Sequence, residues 1–124
     1  MRLWHEDLIP LLPRQQLLGQ HRECCALRGK GWGKPHSTVN YIFNYHPYKL
    51  YQYHVLVMEE MIARGYQPDS LWLDPKYRGK SAPSYKDLEE RSLDYPIYPE
   101  HDEAYLQACL LNLKNKGIAI QINN

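Results

Sequence analysis

A chain of 124 residues with 44% hydrophobic residues is long enough to bury one core without covalent staples and too apolar for a disordered segment. Its mean hydropathy of −0.64 and lack of any long apolar run argue against a membrane span. A net charge of +1 excludes a uniformly basic or acidic protein, and three cysteines, two of them adjacent (Cys24 and Cys25), do not make a disulfide framework.

The expected fold is all-α: a single domain over residues 1–124, with three main helices, short helical turns and an irregular Pro/Ser-rich segment. At the N-terminus Arg2 and the acidic pair Glu6–Asp7 stand where a signal peptide needs an apolar stretch, which points to the cytoplasm. The first helix follows Pro13, a good first-turn residue, and runs to about Arg28 before Gly29. On a 3.6-residue wheel Leu17, Leu18, His21, Cys24, Cys25 and Arg28 share one side. Gln16, Gln20 and Glu23 project to the other, away from the packing stripe, with Arg22 on the flank.

The loop Gly29-Lys30-Gly31-Trp32-Gly33-Lys34 comes next, and Ser37 is placed to cap a short helix through Phe43. Pro47 opens the longest helix, which ends at Arg64 with Gly65 as its stop. Its core face is Leu50, His54, Val57, Met58 and Met61. Residues 67–98 are mostly irregular, with Ser84 and Asp87 able to cap a short turn of helix. The last helix is expected from about Pro99 to Gly117, burying Leu106, Cys109, Leu110 and Leu113. Alternating Ile118, Ile120 and Ile122 suit an extended tail packed on the bundle.

Charge is unevenly spread. Residues 1–50 carry seven Lys and Arg against three acids, and residues 51–124 carry eight against eleven. Glu23 is the only carboxylate between Asp7 and Glu59, a stretch holding six basic residues. Such a stretch is what a polyanion-binding surface requires, although a solvated helix face produces the same bias. Basic and aromatic residues alternate through this half, among them Trp4, Arg22, Arg28, Lys30, Trp32, Lys34 and Tyr41. Cations neutralise phosphates and aromatic faces stack on bases, whereas tyrosines at helical spacing also serve as core residues. Trp32 lies between glycines, where no core stripe claims it, and the glycine-flanked Lys30 and Lys34 suit contact with a phosphate backbone. His21 and Cys24 have helical ligand spacing, but no second ligand pair follows and both lie on the apolar stripe, so core packing is the expected role.

The segment Gln15-Gln16-Leu17-Leu18-Gly19-Gln20-His21-Arg22-Glu23 resembles the active-site helix of the pyrimidine-dimer DNA glycosylase (endonuclease V) family, including its Arg-Glu pair. Met1-Arg2-Leu3 resembles the family's N-terminus, and Lys49-Leu50 through Ala63-Arg64-Gly65-Tyr66 resembles its long central helix. The resemblance implies a glycosylase with abasic-site lyase activity acting on double-stranded DNA that contains damaged or abasic sites. In that family the first residue's α-amine, here that of Met1, attacks C1′ of the sugar, and a glutamate, here Glu23, assists this step and the following β-elimination. Arg2 and Arg22 would hold phosphates beside the lesion, with Gln16, Arg28, Lys30, Trp32 and Lys34 completing the DNA-binding surface.

No cofactor and no metal are implied, and the expected protein is a monomer located at the nucleoid. An α-amine, with an ordinary pKa near ~8 against ~10.4 for lysine, is the better nucleophile at neutral pH. The chain departs from the family pattern in four places, one being that Ile118–Asn124 stands where the family has an aromatic, basic C-terminal segment. Arg2 is too large for ordinary removal of Met1, Gln16 stands where the family often has His, and Ala26 stands where a further Arg is expected. The other reading of the same residues is a non-catalytic nucleic-acid-binding protein on this scaffold.

Overall fold

The computed structural model describes residues 2–35 and 38–122. Three α-helices carry the fold: α1 (Arg14–Arg28), α2 (Pro47–Ala63) and α3 (Glu103–Asn115), with 3-10 turns at Glu6–Leu11, Asn40–Asn44 and Ser70–Leu73. No strand occurs among the described residues, and none of their helices is long and apolar enough to cross a membrane.

Local chemistry sets the helix ends. Pro13 precedes α1, and Gly29 closes it with its N–H on the carbonyls of Cys25 and Ala26. Before α2 the His46 ring accepts from the Tyr48 N–H at 3.1 Å, Pro47 takes the first position, and Gly65 at φ +90° ends the helix. Asp102 caps α3 by accepting from the Tyr105 N–H at 2.8 Å, which displaces the expected start at Pro99. Residues 98–101 instead form a turn, His101 N–H to Tyr98 carbonyl at 2.9 Å, that drives both side chains into the interior.

The expected cap at Ser37 lies outside the described residues, and the turn that follows covers Asn40–Asn44. No helix forms around Ser84 and Asp87; Asp69 caps a 3-10 turn at Ser70–Leu73 instead.

Helix α1 packs on α2, and the core joins Leu17, Cys24 and Leu27 of α1 with Leu50, Tyr53 and Val57 of α2 and Leu106, Cys109 and Leu113 of α3. Leu3 and Trp4 of the N-terminal segment are buried in the same cluster, and Ile118, Ile120 and Ile122 lie half-buried against it in a tail without regular secondary structure. Gln20 departs from the wheel reading. It is 1% exposed, on the core side of α1, because polar partners in the N-terminal segment and α2 meet all its hydrogen-bonding groups.

Candidate active site

Residues 2–4 run across α1 toward α3 and are held by main-chain bonds. The Trp4 N–H donates to Gln20 Oε1 at 2.7 Å, Gln20 Nε2 donates to the Arg2 carbonyl at 3.0 Å, and the Tyr105 hydroxyl donates to the Leu3 carbonyl. The Tyr53 hydroxyl shares its proton between the Trp4 carbonyl at 2.6 Å and Gln20 Oε1 at 2.8 Å. This fastening brings Arg2 and Glu23 together on the wall of a recess of about 220 Å³, lined also by Trp4, Thr38, Asn112 and Lys116.

Glu23 is half-buried, not solvent-facing as the wheel suggested. Burial raises its pKa above the ordinary carboxylate value; the Arg2 backbone N–H, the Lys116 ammonium and the Gln20 amide act in the opposite direction. Gln20 Nε2 donates to Glu23 Oε2 at 3.0 Å. The Arg2 guanidinium lies 5.7 Å from the Tyr105 ring centroid and 4.0 Å from Cys109 Sγ, so α3 braces it. Lys116 sits 5.3 Å above the Trp4 ring. The result is a small polar recess with one carboxylate, one guanidinium and one ammonium, an arrangement able to hold an anion beside a proton-transfer group.

Met1 lies outside the described residues. Arg22, Lys30 and Lys34 are exposed and Gln16 is half-exposed, all free in accessibility to meet a polyanion. Trp32 is half-buried with its ring edge-on to Phe43 at 5.0 Å, so part of the ring belongs to the fold. Arg28 corrects the sequence reading. It is 5% exposed, and its guanidinium donates to the carbonyls of Trp72 (2.8 Å), Asp74 (2.8 Å) and Tyr77 (3.1 Å), so it braces the chain around residues 72–77 and reaches no surface phosphate.

Sequence reasoning missed Gln20, Tyr105, Asn112 and Lys116. Only Gln20 carried a signal, its spacing three residues before Glu23 on the same helix. Tyr105, Asn112 and Lys116 come from more than 80 positions later in the chain and had none.

His21, Cys25 and His54 bring three ligand-type atoms within 4.8 Å of one another. Their hydrogen bonds argue against a metal. Arg28 Nη1 lies 2.9 Å from His54 Nδ1 and can only donate, so that nitrogen accepts. The His54 proton is then on Nε2, directed at His21 Nδ1 at 2.8 Å, and Nε2 has no lone pair to offer an ion. Burial, then Arg28 and His21, holds the His54 pKa well below its usual value, and burial raises the Cys25 thiol to about 11. The cluster is a chain of hydrogen bonds from the Arg28 guanidinium through the neutral His54 ring to the half-buried His21.

The family model described as pyrimidine dimer DNA glycosylase matches residues 1–74, which include Arg2, all of α1 with Glu23, and all of α2. No curated protein and no solved structure matches the chain.

Proposed function

The chain belongs to the pyrimidine dimer DNA glycosylase family and is a DNA repair glycosylase whose substrate is DNA, and from that premise we propose that it also cleaves abasic sites, with the Met1 α-amine as nucleophile and Glu23 as the proton-transferring carboxylate. The observation that carries the reading is the junction of Glu23 with the Arg2 backbone N–H at the polar recess. Three bonds separate the α-nitrogen of residue 1 from the Arg2 amide nitrogen. Their summed lengths keep the two within about 4.3 Å whatever the conformation. This covalent tether to Arg2 is what supports pairing that nucleophile with Glu23 in the proposal.

In the proposed sequence the amine attacks C1′ and the bond to the base breaks, the base leaving with the electron pair. The amine gives up a proton, the C1′–O4′ bond breaks with its electron pair going to O4′, and O4′ takes a proton relayed by Glu23, leaving an iminium at C1′ and an opened sugar. Glu23 then takes a proton from C2′, and the 3′ phosphate leaves by β-elimination; water hydrolyses the imine and returns the amine. A carboxylate lifted by burial above its ordinary pKa is better matched to that proton transfer near neutral pH than a fully solvated one. Arg2 in the recess and exposed Arg22, Lys30 and Lys34 would hold phosphates, and Gln16 and the free part of Trp32 would complete the DNA-binding surface. Damaged or abasic double-stranded DNA is the proposed partner, bound by a monomer.

Borohydride reduces an iminium to a stable amine, so protein with a native N-terminus should form a covalent adduct with abasic-site DNA. Protein acetylated at the α-amine should form none. Glu23→Gln should lower strand cleavage by about 10²-fold or more while sparing DNA binding. Absence of an adduct under conditions where an established lyase is trapped would overturn the mechanism.

A further inference from the structure

We propose that Gln20 is the positioning residue that sets the N-terminal main chain and Glu23 in register with each other, a role that rests on the mechanism proposed above. A glutamine offers two donor hydrogens and two acceptor lone pairs. Here all four are used: Oε1 receives the Trp4 N–H and the Tyr53 hydroxyl, and Nε2 donates to the Arg2 carbonyl and to Glu23 Oε2. One amide nitrogen therefore touches both the residue that follows the proposed nucleophile and the proposed proton-transfer group, each at 3.0 Å. The side chain is 1% exposed, so water cannot take over any of these bonds.

The role requires an amide. A carboxylate at position 20 would keep both acceptor bonds and lose both donors, and it would place a second acid about 3 Å from Glu23. An apolar side chain of similar size would lose all four bonds. In either case the Arg2 carbonyl and Glu23 are released from their common donor, and Glu23 loses a bond that favours its charged form.

The test uses the full chain with its native N-terminus, as wild type, Gln20→Glu and Gln20→Met. Glu23 is titrated by carboxyl-carbon NMR in DNA-free protein, and borohydride trapping on abasic-site DNA is followed against pH. Both variants are expected to move the Glu23 midpoint and the acidic limb of trapping upward by about one pH unit or more. A residue that merely supports the fold would lower the melting temperature and leave the titration and the limb in place. That outcome, in either folded variant, overturns the proposal. Gln20→Met can fail to fold because it strands the Trp4 N–H; Gln20→Glu retains that partner, and because its added charge alone should raise the Glu23 midpoint, an unmoved midpoint there overturns the proposal outright. A wild type that traps nothing sinks the lyase mechanism, whereas the Glu23 titration without DNA still decides the role of Gln20.

Discussion

Arg28 shows how a side chain's partners decide its role more firmly than its charge. Among the described residues the guanidinium has no carboxylate partner; three carbonyls and the His54 ring receive its protons, and the Trp72 and Tyr51 rings lie 5.0 and 5.2 Å from its centre. Its charge is balanced by carbonyl dipoles and ring faces, a low-dielectric setting in which each bond matters more than at the surface. Burial accordingly lowers its pKa, with nearby thiols, Tyr51 and Asp74 opposing. Arg28→Met leaves the Trp72 and Tyr77 carbonyls without donors, while the Asp74 carbonyl still receives the Tyr77 N–H at 3.1 Å, and at about 1–3 kcal/mol for each stranded group the expected loss is roughly 2 kcal/mol or more in urea unfolding. Arg28→Lys should recover only part of this, since a compact ammonium cannot span carbonyls that a planar fork reaches together. A Met variant as stable as wild type would show that the carbonyls find water.

The end of α1 gives the glycine-rich loop a structural explanation. The Gly31 N–H bonds to the Ala26 carbonyl at 2.9 Å, folding the chain back on the helix, and a Cβ on Gly31 would lie 2.7 Å from that same oxygen. Arg78 closes the other side, donating through Nε to the Arg28 carbonyl at 3.0 Å. Gly31→Ala is therefore expected to cost about 1–3 kcal/mol through forced backbone movement, read by chemical denaturation; a change under about 0.5 kcal/mol would mean the loop shifts freely. Helix ends written in short-range chemistry were legible, as Pro13, Gly29, Pro47 and Gly65 show. The start of α3 was not, because Pro99 looks like an opening residue until the inward turn at Tyr98–His101 leaves Asp102 as the cap. Glu23 was legible as a lone acid in a basic stretch, and its link to the N-terminus came only through family resemblance. Gln20 was misread because a polar residue on a wheel looks solvent-facing until Trp4 and Tyr53, from two other parts of the fold, supply its partners. Asn112 and Lys116 reach the recess through tertiary packing that no local pattern encodes.

At the scale of the whole molecule, buried imidazoles govern the response to acid. Burial pushes His101 down to about 3, His54 well below its usual value, and His21 down as well, with Arg28 adding to the His54 and His21 shifts and Asp102 opposing that of His101. A histidine whose folded pKa lies below its unfolded value of 6.5 binds its proton first in the unfolded chain. Its contribution is fully present above that pH and is lost as the pH falls toward the folded value. For His101 this window runs from about 6.5 to about 3, at up to roughly 1.4 kcal/mol per pH unit. Glu6 and Glu23, both raised by burial, work in the opposite sense, binding protons more readily when folded and so flattening the decline as the pH falls through their folded values toward the ordinary 4.5. The urea midpoint should fall steadily between pH 7 and 4. His101→Asn, which removes a titrating ring stacked on Tyr105 at 4.9 Å, should make that fall shallower even though it lowers the midpoint at pH 7. A flat or rising midpoint in the wild type would show that the imidazoles titrate without unfolding the chain. This limit also bears on the active site: an acidic limb of trapping belongs to Glu23 only where it lies above the pH at which the fold itself fails, so both curves must be measured on the same protein.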